Sequence, residues 1–153
     1  MACINFPIDP RLGPIVEIGI SLSTTKKTAS GSSAPQIHWI KAVADSGCSH
    51  TSIQDTLIRQ IGLPKSSKVP AYSAREQRLD AKDHLVDAFR GVLFIRAPLV
   101  GFPAQIVEEQ FRDLLFPEIK VPLPNFGALL GMDILGLGMF TVNGPGKQAT
   151  FCW

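Results

Sequence analysis

The sequence predicts an all-β domain: a small closed β-barrel with one or two short helices. Three observations carry this expectation. Apolar residues recur with period two in short runs, the pattern of half-buried strands. Thirteen glycines and twelve prolines are distributed along most of the 153 residues, which works against a helical bundle. Helical spacing is clear in one short stretch only.

The elements follow in order. From Ile15 the run Leu12–Leu22 alternates, with Val16, Ile18, Ile20 and Leu22 on one face, and predicts a strand. Residues 23–35 are small and polar and read as a long hairpin loop. Gln36–Ala44 is a second strand, ending abruptly in Asp45-Ser46-Gly47. Ile53, Leu57, Ile58 and Ile61 stand at helical spacing, with Gly62 and Pro64 as the stop. Residues 69–95 read as a polar hairpin, with Val92–Ile95 its best strand. Ala104–Val107 is a further strand and Gln110–Phe116 a helical turn. Ala128–Leu130 is an apolar strand closed by Gly131, and Met132–Leu137 a short helix. Met139–Asn143 and Gln148–Trp153, joined across Gly144-Pro145-Gly146, form a terminal β-hairpin. No repeat or linker divides the chain, so residues 1–153 read as a single domain.

Composition narrows the function classes. Hydrophobic residues make up 45% and charged residues 18%, too apolar for a disordered chain. The net charge of +2 is too small to argue for nucleic acid as a partner. The most apolar stretch, 121–146, is broken by Asp133, prolines and glycines, so no membrane helix is expected. Cys3, Cys48 and Cys152 are odd in number and none are at finger spacing, which predicts neither a disulfide framework nor a zinc ribbon. With no secretory signal visible at the N-terminus, the expected setting is the cytoplasm.

Asp45-Ser46-Gly47 is the sharpest chemical feature. The strand delivers a carboxylate to its end, a hydroxyl able to brace the turn, and a glycine that permits close backbone approach. Alone, the triplet is also ordinary turn chemistry. Its surroundings add a second block. Ile40–Ile53, reading IKAVADSGCSHTSI, resembles the active-site segment of the retropepsin-like aspartic proteases. Ala128–Leu135, reading ALLGMDIL, is similar to that family's aliphatic-aliphatic-Gly-x-Asp/Asn-aliphatic-Leu signature. The blocks lie in the family's order.

The resemblance implies a barrel with a terminal hairpin and an aspartic endopeptidase that needs two Asp-Thr/Ser-Gly loops. This chain has one, so a homodimer would supply Asp45 twice. At about 3 Å and an effective dielectric of about 20, two ionised carboxylates would repel by roughly 5 kcal/mol, so the pair would share a proton. Ser46 and Gly47 would hold the loops, and Gly131 would pack behind them. An extended peptide or protein substrate would lie under a flap near residues 69–95, with Tyr72, Ser73 and Ala74 as binding residues. The flap segment 71–80 lacks a glycine and is highly charged, which implies a stiff or differently shaped lid. Family members interleave their terminal strands across the dimer, and the two terminal aromatics, Phe151 and Trp153, favour that arrangement, joined by Ile4–Ile8, over a terminal strand buried within its own monomer. No cofactor or metal is expected. A different class remains open beside this one: a non-catalytic dimeric module for peptide binding or assembly. A Cys48/His50 nucleophile lacks an orienting third group, and His38, Cys48 and His50 match no standard metal spacing.

Overall fold

The computed structural model describes residues 2–22, 36–70, 85–120 and 125–153. Ten strands and two short helices follow one another: β1 (Cys3–Asp9), β2 (Gly13–Ser21), β3 (His38–Ala44), β4 (Ser52–Gln54), α1 (Asp55–Ile61), β5 (Lys65–Pro70), β6 (Leu85–Leu99), β7 (Phe102–Ile119), β8 (Ala128–Leu130), α2 (Met132–Leu135), β9 (Met139–Asn143) and β10 (Gln148–Cys152). The expected all-β class is what the chain adopts.

Six of these strands close a ring. The order β6-β7-β4-β8-β3-β2 returns to β6 through antiparallel pairing of Ile18–Ser21 with Val92–Ile95. Closure removes the open edges that a flat sheet would expose. β5 hangs outside on β6, while β1, β10 and β9 extend the sheet beyond β2. The alternation seen in the sequence sets which face is filled: Val16, Ile18, Ile20, Leu93, Ile95 and Leu130 are all buried in one cluster.

Local chemistry explains the corners. Asp9 Oδ1 accepts the N–H groups of Arg11 (2.8 Å) and Leu12 (3.0 Å), and Gly13 follows at φ +94°, a left-handed value suited to glycine. Helix α1 buries Ile58 and Ile61 and ends at Gly62, also left-handed at φ +76°, whose N–H returns to the Ile58 carbonyl.

Two expectations are corrected here. Gln110–Phe116 is not a helical turn but the middle of strand β7, paired with β6 from Phe111↔Leu93 to Phe116↔Phe89. Cys3 and Cys152 form a disulfide, which the sequence reading did not expect. They are 149 residues apart in sequence and become neighbours only through the β1–β10 register, in which Cys3 stands opposite Cys152.

The two ends of the chain pair with each other. β1 pairs with β10 of its own chain over five residues, and Ala2 and Trp153 exchange two backbone hydrogen bonds of 3.0 Å. Phe151 is fully buried, its ring centre 5.2 Å from that of Trp153 and tilted by 31° to it, and the Trp153 indole N–H donates to Glu109. Within the chain, Phe151 thus belongs to the core and Trp153 packs against it. Among the described residues, no helix is long and apolar enough to cross a membrane.

Candidate active site

The two sequence blocks meet because β8 runs between β3 and β4. It is parallel to β3, with Ala44 opposite Leu130, and antiparallel to β4, with Ile53 opposite Ala128. The chain leaves β3, turns through residues 45–51 and returns as β4 on the far side of β8. Asp45 N–H extends the ladder to the Leu130 carbonyl at 2.9 Å. The second block thus forms the floor beneath the first.

Asp45 begins a tight turn, closed by Cys48 N–H on the Asp45 carbonyl at 3.1 Å. Its carboxylate is half-buried and held from within that turn. Oδ1 accepts the Gly47 N–H at 2.8 Å, and Oδ2 lies 3.4 Å from the Cys48 thiol, which donates to it. Ser46 and Gly47 are exposed at the tip. Three depressions on the described surface, of about 350, 390 and 470 Å³, are lined by residues outside this turn.

Gly131 lies directly behind the turn. A Cβ there would stand 2.4 Å from the His50 carbonyl carbon and 2.8 Å from the Thr51 nitrogen. Its backbone is extended (φ −95°, ψ −175°), so space rather than conformation demands glycine. The next two residues clamp the loop from α2: Met132 N–H donates to the Cys48 carbonyl at 2.8 Å and Asp133 N–H to the Ser49 carbonyl at 3.1 Å.

Sequence reasoning missed Thr51 and the part played by Asp133. Thr51 is fully buried. Its hydroxyl donates to Asp133 Oδ1 (2.7 Å) and accepts from Gly131 N–H (3.1 Å), while its own N–H donates to the same carboxylate oxygen (2.9 Å). This network leaves none of its buried side-chain polar atoms without a partner and ties the Asp45 loop to the second block. The available signal was a threonine one turn beyond Asp-Ser-Gly and a carboxylate two residues after Gly131, but sequence alone does not show them meeting.

Tyr72, Ser73 and Ala74 lie outside the described residues, as does most of the expected flap. Its flanks are β5 and β6, antiparallel neighbours from Lys65 to Pro70, so a hairpin base is in place. The Cys48 thiol is pushed up to about 11, first by burial and then by the Asp45 carboxylate beside it. It stays protonated near neutral pH, and the His50 Nδ1 hydrogen bond is to Ser49, which removes a thiolate–imidazole nucleophile from consideration. Among the described residues, no group of three or more His, Cys, Asp or Glu side chains is placed to hold a metal ion.

No protein-family model and no curated protein matches the chain. Among solved structures it is similar to a retropepsin-like aspartic protease from Rickettsia conorii, with a TM-score of 0.51 and 13% identity over 97% of this chain and 89% of that one. At that identity the likeness is one of fold: the chain has the retropepsin-like fold, the architecture that its two sequence blocks resemble.

Proposed function

We propose that this protein is an aspartic endopeptidase whose active site is shared between two copies of the chain, each contributing Asp45. The observation that carries the reading is Asp45 itself: a carboxylate at the end of β3, oriented by Gly47 N–H at 2.8 Å and floored by Gly131, within a retropepsin-like fold. In the assembled pair one carboxylate is ionised and takes a proton from a bound water, which attacks the scissile carbonyl. The other, protonated, donates to the carbonyl oxygen and stabilises the tetrahedral intermediate. The proton then passes to the leaving amine. The substrate is an extended peptide that adds to the cleft by strand-like hydrogen bonds, under a lid carrying Tyr72, Ser73 and Ala74. Ser46, exposed at the tip, braces one loop against the other.

The dimer in this reading does not exchange β1 and β10, because both edges of each are occupied within the chain. The sheet order ends at β9, whose outer edge is open among the described residues. Met132 on α2, Leu137 in the turn that follows, and Met139 and Val142 on this strand are exposed. Antiparallel pairing of β9 with its copy about a two-fold axis covers that segment, which leads directly from the floor of the Asp45 turn. The cytoplasmic setting read from the sequence would keep Cys3 and Cys152 reduced, so the disulfide belongs to an oxidising environment.

The test is proteolysis of a diverse peptide library between about pH 3 and pH 8, with wild type and Asp45→Asn side by side. The expected result is cleavage by the wild type and none by the variant, both having dimer mass. Equal cleavage by a clean variant preparation sinks the mechanism. Silence from both dimers favours the non-catalytic binding module.

A further inference from the structure

Both oxygens of Asp45 are engaged, and the two donors differ in kind. Gly47 N–H is a backbone group that any residue except proline would supply at this position. The Cys48 thiol is a side chain, and an alanine would fill much the same space without donating. Sulfur donors act at longer range than nitrogen or oxygen, and 3.4 Å between Sγ and Oδ2 is a hydrogen-bonding separation for a thiol. Cys3 and Cys152 are paired with each other, leaving Cys48 as the free cysteine.

We propose that Cys48 is a positioning residue for Asp45: its S–H holds Oδ2 while Gly47 N–H holds Oδ1, so the carboxylate cannot rotate away from the face it presents to a partner copy. This inference rests on the reading of Asp45 as the catalytic carboxylate. A carboxylate that must meet its mate and a water at hydrogen-bond distance loses rate when its plane is free to turn. The thiol suits the task because it remains a donor. Burial, the negative charge of Asp45, the hydrogen bond to it and the more distant charge of Asp133 on α2 all favour its protonated form. A thiol with an ordinary value would begin to ionise near pH 8 to 9 and repel the group it positions.

Two measurements test this, one of them independent of catalysis. Alkylation of Cys48 by iodoacetamide, followed by mass spectrometry from about pH 7 to 11, reports the thiol's surroundings in the disulfide-intact protein. In Asp45→Asn the carboxylate's charge is gone, and the alkylation profile moves to lower pH. The variant reacts about tenfold faster than wild type near pH 9. Superimposed profiles in two folded proteins overturn the contact. In the cleavage assay, Cys48→Ala lowers kcat about tenfold with KM little changed. Cys48→Ser, which restores a donor, recovers most of the loss. Wild-type kcat in Cys48→Ala reduces Cys48 to packing and overturns the proposal. If no form of the protein cleaves peptide, the catalytic reading has failed and takes the positioning role with it, while the alkylation profiles still decide whether the contact exists.

Discussion

Gly131 and Thr51 show how little side chain is needed to seat the Asp45 turn. Gly131 lets the backbone of the second block approach the His50–Thr51 peptide closely enough for its N–H to reach the Thr51 hydroxyl at 3.1 Å. A methyl group at that point meets backbone atoms, which cannot swing aside as a side-chain end can. Gly131→Ala is therefore expected to cost about 1–3 kcal/mol as the loop is displaced, read as a fall in the urea midpoint at unchanged slope. The same change at Gly144, where an added Cβ meets nothing within 4 Å, should be nearly silent and serves as the control. Equal midpoints for the two variants would mean that the floor of the turn is not tight. Asp45, Ser46, Gly47 and Gly131 stand out only because two blocks of sequence together resemble the retropepsin-like proteases; Asp-Ser-Gly by itself is ordinary turn chemistry. Thr51 and Asp133 could not be picked out, since they act through contacts formed only when β8 enters between β3 and β4, and the Cys48 donor depends on how the 45–48 turn orients a side chain.

Strands were readable wherever alternation was unbroken. β2, β3, β8, β9 and β10 appear within one or two residues of where the pattern places them, and α1 begins two residues late because Ser52–Gln54 first pairs as β4. The failure at Gln110–Phe116 has a physical cause. Against β6, the pairing steps from Gly91↔Leu114 to Leu93↔Phe111, one more residue on β7 than on its partner, and Asp113 sits at φ +56°. That bulge shifts the phase of the alternation, so Phe111, Leu114 and Leu115 fall at spacings of three and four that mimic a helix. β9 raises the opposite question, since its apolar residues exceed what one subunit buries. Met139 and Val142 are each 56% exposed on an open-edged strand. A carboxylate at each position should block edge pairing without touching the barrel. Met139→Asp/Val142→Asp is expected to sediment as a monomer with an unchanged circular dichroism spectrum, and to lose cleavage together with the dimer. A double variant that keeps the dimer mass places the interface elsewhere.

At the scale of the whole molecule, the chain is nearly a closed loop. Its ends are joined by the β1–β10 ladder, by Thr150 Oγ1 donating to Asn5 Oδ1 at 2.7 Å, and by the Cys3–Cys152 bond. A crosslink spanning 149 residues removes much of the unfolded chain's freedom. Its loss in Cys3→Ser/Cys152→Ser should lower stability by about 2–5 kcal/mol while the ladder keeps the fold. The bond also distinguishes the two ways of building a dimer. If β10 lay beside the partner's β1, each Cys152 would bond the other subunit's Cys3, and oxidised protein would remain a covalent dimer when denatured. With β1 and β10 paired in one chain, the subunits share no bond. Oxidised protein should then run as a monomer on a denaturing gel without reductant, while sedimenting as a dimer in native buffer. A covalent dimer on that gel would mean that the strands do exchange, and the open edge of β9 would lose its claim to the interface.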